Sequence, residues 1–153
     1  MGRALHRYKY VPDVSLAPAL ARLMLRQAPY DSSSYDMMVP VPLHIQRLRW
    51  RGFNQAQLLV REICRAARVP VDPFVLERTR ATAPQVELDT SARRRNVAGA
   101  FSVTDSRRLR GRSVLLVDDV YTTGATANEC SRALLRGGAA RVDVLVLARA
   151  VLR

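Results

Sequence analysis

Only two cysteines, Cys64 and Cys130, occur in the 153 residues, and neither lies in a CxxC spacing. That excludes the cysteine-based zinc modules and gives no basis for a disulfide framework, so both are expected to be small apolar packing residues. No apolar run approaches the ~18 residues that span a bilayer, which excludes membrane insertion. Met1 to Tyr10 carries positive charge but no apolar stretch or cleavage site, so no secretory signal is read there and the cytoplasm is the expected location. Lysine is almost missing: Lys9 is the only one. A GxxxxGK[ST] phosphate loop is therefore excluded, and GxGxxG is absent too. Acids are scarce as well, 13 against 25 basic residues, for a net charge of +12 and a sequence pI near 11.2. Anionic partners are expected.

The basic excess is uneven. Val41 to Pro70 holds six arginines against Glu62, and Arg78 to Arg112 holds nine against three acids, whereas the last 41 residues are nearly balanced. Both arginine-rich segments are candidates for facing phosphate. A lineage that places arginine where others place lysine on solvated faces accounts for the excess equally well, since composition bears on association and not on fold. Hydrophobic residues at 48% and charged residues at 25% are ordinary for a globular chain, and the length predicts a single domain over 1–153 with one core.

Leu16, Ala19, Leu20, Leu23 and Met24 recur at helical spacing and predict an amphipathic helix ending before Pro29. Met37 to Val41 reads as a buried strand leading into a loop, since Pro40 and Pro42 close it. Ala56, Leu59, Ile63 and Ala66 or Ala67 form a second helical stripe, with Asn54 where an N-cap belongs and Pro70 just past the end. Val69 to Leu76 is a weaker strand interrupted by Pro73. Arg78 to Ala98 lacks periodicity and reads as a long mobile loop, a feature usually functional or disordered. Ala100 to Val103 is a short strand. Ser113 to Val117 is apolar without alternation, as in a parallel sheet covered on both faces. A helix over Thr126 to Leu135, stopped by Gly137 and Gly138, and a buried strand over Val142 to Leu147 complete a βαβ unit. Two such units in tandem predict a doubly wound α/β fold.

The strongest signal is VLLVDDVYTTGAT at Val114 to Thr126, where a buried strand ends in two acids and passes through small hydroxyl residues and glycine into a helix. The first turn of a helix leaves N–H groups unpaired and carries about +0.5 of an elementary charge, so such a loop can wrap a phosphate. A structural turn also uses Thr or Gly, but TTGAT after consecutive acids is unusual. Asp118 and Asp119 are neighbours on an extended backbone, so their side chains diverge and make a poor shared-proton dyad. Accepting hydrogen bonds from sugar hydroxyls suits them better, with nearby Mg²⁺ offsetting repulsion from phosphate; bracing the loop is the bland alternative for Asp118. A receiver-domain reading of VLLVDD fails, because only Asp143 follows as an acid outside the helix and no lysine follows at all.

VLLVDDVYTTGAT resembles the phosphoribosyl pyrophosphate (PRPP) motif of type I phosphoribosyltransferases. The wider pattern is similar to their ComF-type branch: VPVPLHIQRLRWRGFNQAQLL at Val39 to Leu59, RTRATAPQVEL at Arg78 to Leu88, RRNVAGAF at Arg94 to Phe101, LAR at Leu147 to Arg149, and HRYKY at His6 to Tyr10. The resemblance implies a parallel sheet flanked by helices, with a small hood over residues 1–35 and the core over 36–153. It implies that Asp118 and Asp119 hold the ribose hydroxyls of PRPP and that Thr122, Thr123, Gly124, Ala125 and Thr126 wrap its 5-phosphate. The loop after VPVP becomes the pyrophosphate loop, with Arg47, Arg49, Arg51 and Gly52 as candidates; the three arginines share a direction only if the loop is extended.

Arg78 to Asn96 falls where such transferases close a flexible loop over the reacting ribose and exclude water. Thr82, Gln85, Arg95 and Asn96 match the family pattern, and Asp118, Asp119 and Arg95 are the candidate catalytic set. Trp50, Phe53 and Tyr121 are open to a base-stacking role, though single aromatics are more often packing. Mg²⁺, held mainly through PRPP and with no dedicated protein metal site, is the implied cofactor. The expected partners are PRPP or a related phosphorylated ribose, weakly bound single-stranded DNA and a second copy of the chain, with no membrane. Two functions follow: transfer of the phosphoribosyl group to a nitrogen nucleophile, or non-catalytic binding of PRPP, a nucleotide or single-stranded DNA in DNA uptake. Relatives of this type usually carry a cysteine-rich zinc module before the transferase domain; this sequence contains none, so contacts made by that module are not carried over.

Overall fold

The computed structural model describes residues 14–27, 31, 34–82 and 90–149. The HRYKY segment, Gln85 and much of the expected hood lie outside them.

Val114 to Val117 is the centre of the molecule. These residues open strand β4 (Ser113–Tyr121), which pairs in parallel with β1 (Met37–Pro40) on one side and β5 (Arg141–Arg149) on the other. Because side chains alternate along a strand, Val114 and Leu116 face one apolar cluster and Leu115 and Val117 face the other. On the first face, Val114 and Leu116 lie with Met37 and Val39 against Ala125, Cys130, Ala133 and Leu134 of helix α5 (Ala125–Arg136). On the second, Leu115, Val117 and Met38 meet Leu59, Val60 and Ile63 of α3 (Gln55–Ala67) and Ala17, Ala21 and Met24 of α1 (Ala17–Gln27). Helices thus cover both faces, as the unalternated apolar run of β4 predicts. The type I phosphoribosyltransferase architecture expected from the motifs is present as a parallel sheet flanked by helices.

Several elements differ from the sequence reading. The segment after β1 is not all loop: Ile45–Arg51 is a helix, α2, with His44 Nδ1 accepting from Gln46 N (3.4 Å) and Gly52 closing it at φ 79°. No residue of α2 is buried, so no apolar stripe announces it. The Val69–Leu76 strand reduces to one parallel bridge, Val71 to Met38, and β2 starts only at Leu76. Between them the buried Asp72 carboxylate accepts from Phe74 N (3.0 Å) and Val75 N (3.1 Å) and turns the chain. Strand β2 (Leu76–Arg78) then pairs antiparallel with β3 (Phe101–Val103), outside the main sheet. The long segment before β3 contains helix α4 (Thr90–Val97) where a loop is expected. β5 is half-buried rather than buried, with Val144 39% exposed. Among the described residues it lies at the sheet edge and pairs only with β4. No helix among the described residues is long and apolar enough to cross a membrane.

Candidate functional site

From β1 the chain crosses through α3 to Val71, beside β1 on the flank away from β4, whereas from β4 it crosses through α5 to β5 on the opposite flank. The two crossovers leave in opposite directions, so the carboxyl ends of β1 and β4 diverge around a crevice. Open α/β sheets bind ligands at such a switch point. Here it is a cleft of about 190 Å³, bordered by Val41 to Leu43 after β1 and by Asp118, Asp119, Val120 and Thr122 from β4 onward.

Two buried amides build the wall after β1. Asn54 caps α3 by accepting from Ala56 N (3.0 Å), and its Nδ2 donates to Val41 O (3.0 Å), pinning the helix start to the strand end. Gln55, 2% exposed, accepts from Arg51 Nη1 at 2.9 Å and holds that guanidinium at the cleft. In α2, successive residues turn by about 100°, so Arg47 and Arg51, one turn apart, share a side and Arg49 does not. The shared direction expected of an extended loop is therefore absent: Arg51 borders the cleft, Arg49 is exposed, and Arg47 borders an adjoining groove of about 390 Å³ with His44, Gln46, Trp50 and Thr82. Trp50 is 77% exposed there. Gly52 is exposed and serves to end α2, its N–H donating to Leu48 O at 2.7 Å.

The acids lie inside β4 rather than at its tip, half-buried, with Asp118 opposite Val146. Both border the cleft despite strand alternation, and Asp118 Oδ1 accepts from Asp119 N at 2.8 Å. Past β4, Thr122 and Thr126 border the cleft, while Gly124 and Ala125 border a small cavity of about 30 Å³ beside it, shared with Asp118, Tyr121 and Thr126. Thr123 Oγ1 accepts from Ala125 N at 3.4 Å, and Gly124 (φ 75°) opens α5 without a side-chain cap. A Cβ on Gly124 would sit 2.1 Å from the Tyr121 hydroxyl, so glycine is required by both the backbone and the tyrosine ring. The Arg149 guanidinium lies over that ring at 5.8 Å.

The far wall holds the residues that the sequence reading missed. Arg95 is exposed and donates to Ser91 Oγ (3.2 Å); it does not border the cleft. Arg93, two residues earlier, is 8% exposed and does. Val97, one turn on in α4, is buried on the same side, a register that a segment without apolar periodicity does not announce. Arg78 stands between cleft and groove, over the Phe101 ring at 5.3 Å and donating to Thr82 Oγ1. Burial and then Arg47 lower the pKa of the Arg78 guanidinium. Beneath the cleft, burial and then Asp118 push the Cys130 thiol well above its ordinary range, leaving it a neutral packing group.

A family model described as "Phosphoribosyl transferase domain" matches residues 48–151, which include both acids, the threonine-glycine turn and the far wall. The chain belongs to this phosphoribosyl transferase domain family. It is 38% identical over 151 residues to the DNA utilization protein YhgH of Escherichia coli, covering 95% of this chain and 65% of that protein. It is 36% identical over 152 residues to Competence protein F of Haemophilus influenzae, covering 95% and 66%. Competence protein ComFC of Bacillus subtilis is 32% identical over 114 residues, 74% of this chain and 44% of that one. These relatives agree with the ComF-type motifs. The chain spans just under two thirds of the first two. The fold of B. subtilis glutamine PRPP amidotransferase, complexed with ADP and GMP, superposes with a TM-score of 0.59 at 18% identity, over 88% of this chain and 26% of that one.

Proposed function

We propose that the cleft binds PRPP with Mg²⁺ and supports displacement of its pyrophosphate by a nitrogen nucleophile. The observation that carries this reading is the convergence, at one switch point, of two carboxylates, the Thr122–Thr126 turn and the Arg51, Arg78 and Arg93 guanidiniums. Carboxylates accept from hydroxyls, the turn and the α5 N-terminus suit a phosphate, and guanidinium forks suit a pyrophosphate. Among the described residues no three His, Cys, Asp or Glu side chains gather to hold a metal. Asp118 and Asp119 still fit Mg²⁺, which typically takes one or two carboxylates and completes its shell with phosphates and water. When bound it would neutralise phosphate charge. In the reaction the C1–O bond to pyrophosphate breaks, the C1–N bond forms and the nitrogen loses a proton; the protein's share is positioning and electrostatic stabilisation of the departing anion.

Asp118→Asn combined with Asp119→Asn is expected to abolish PRPP binding in titration calorimetry while the domain stays folded by circular dichroism. Unchanged affinity in the folded double variant would refute the ribose assignment. A second reading, non-catalytic binding of a nucleotide or single-stranded DNA in DNA uptake, draws support from the names of the relatives and from exposed Trp50 and Arg49 on α2. Steady pyrophosphate release with a defined acceptor separates the two.

A further inference from the structure

The groove beside α2 is larger than the cleft, about 390 Å³ against about 190 Å³, and falls within the roughly 300–1,000 Å³ of small-molecule sites. Among the described residues Arg78 alone borders both. Trp50, the only tryptophan in the chain, is 77% exposed at the groove, on a helix that buries none of its residues. Core packing therefore does not account for the indole. Arg47 lies three residues before Trp50, about one helical turn away, and borders the same groove with His44 and Gln46. Among the described residues no carboxylate borders it, so the groove offers one aromatic face and a surplus of hydrogen-bond donors.

The two guanidiniums of the groove are uncompensated by any acid there. After burial, Arg47 is the largest cause that lowers the Arg78 pKa, a sign of mutual repulsion. Arg78 is held over the Phe101 ring at 5.3 Å and by Thr82 Oγ1, and its buried Nε has no hydrogen-bond partner. An anion between the two arginines would remove the repulsion. An aromatic face beside an anion seat matches the two halves of a nucleotide. We propose that the groove is a second binding site, for a single nucleotide, with its base stacked on Trp50 and its phosphate between Arg47 and Arg78. Indole stacks on any base, guanidinium forks suit phosphate oxygens, and the Gln46 amide both donates to and accepts from a base edge. A polynucleotide fits less well, because it needs successive aromatic faces and a basic track. No second aromatic residue borders the groove among the described residues, Arg49 lies on another side of α2, and Arg80 donates to Asn96 O (3.1 Å) and Ala98 O (2.8 Å). The site goes beyond the PRPP reading, since it uses neither Asp118 nor Asp119 and holds under either reading of the cleft.

With one tryptophan in the chain, indole fluorescence reports this groove directly. Adenosine 5′-monophosphate (AMP) or uridine 5′-monophosphate is expected to quench it saturably, adenosine to bind at least tenfold more weakly than AMP, and ribose 5-phosphate to leave it unquenched. By calorimetry, Arg47→Gln should weaken AMP at least tenfold and Trp50→Ala at least fivefold, with Trp50→Phe recovering most of the affinity. Arg49→Gln should match wild type. Because α2 buries nothing, all four variants should melt with the wild type. Asp118→Asn combined with Asp119→Asn should keep AMP affinity within about twofold; loss there would put the nucleotide in the cleft and overturn the groove site while leaving the PRPP reading intact. Absence of quenching by both nucleotides, or wild-type AMP affinity in Arg47→Gln and Trp50→Ala, would overturn it as well. A twelve-nucleotide single strand that displaces AMP and binds at least tenfold tighter would assign the groove to single-stranded DNA instead of a single nucleotide.

Discussion

Cys130 shows how far one buried atom can report on the cleft above it. Its thiol is fully buried beneath Asp118, and burial first, the carboxylate second, raise its pKa well above the ordinary 9.0. The unfolded chain releases that proton near the ordinary value while the folded chain keeps it. Stability is therefore complete below the ordinary thiol value and falls as pH rises past it, by up to about 1.4 kcal/mol per pH unit. The urea-unfolding free energies of wild type and Cys130→Ala are expected to converge between about pH 8 and about pH 10. A gap that stays constant would show that the thiol titrates alike in both states. At this scale the sequence was readable where chemistry and spacing coincide: Asp118, Asp119 and the TTGAT turn all border the two cavities or support the turn between them. It was unreadable at Arg93, Arg94 and Arg95, three identical letters whose roles are set only by which one faces inward.

Among the elements, periodicity was informative wherever an apolar face is buried. α1, α3, β4 and α5 each carry a stripe or run that packs on the sheet, and their positions could be read from it. α2 and α4 carry no such stripe, since α2 buries nothing and α4 is mostly polar, so tertiary context alone makes them helical. The difference matters for binding, because a helix sorts its arginines by face where an extended loop would not. Arg51→Ala, which removes the guanidinium held by Gln55, is expected to weaken PRPP at least tenfold more than Arg49→Ala does in parallel titrations. Equal losses would mean that α2 unwinds to an extended loop when ligand binds.

For the whole molecule, the charge of +12 is the property least explained by one compact cleft, because many arginines are exposed and do not border it. If they serve a polyanion, the logarithm of single-stranded DNA affinity should fall with that of salt at about −0.7 per phosphate neutralised. We expect weak binding near physiological salt, weakened further when Arg47, Arg49 and Arg51 are all changed to alanine. Tight DNA binding at high salt that ignores both PRPP and the triple variant would identify a separate surface and remove the charge as support for the transferase reading. The sheet adds a constraint of another kind. β1 finds its partner 77 residues later, where Ser113 N donates to Asp36 Oδ2 at 2.7 Å. A ribosome adding roughly 5–20 residues per second leaves β1 without β4 for about 4–15 s. During that interval one face of the apolar strand has α1 for cover and, once residue 67 has been made, α3 as well, so these two helices act as the nascent chain's own shield until the strand bearing the two acids emerges.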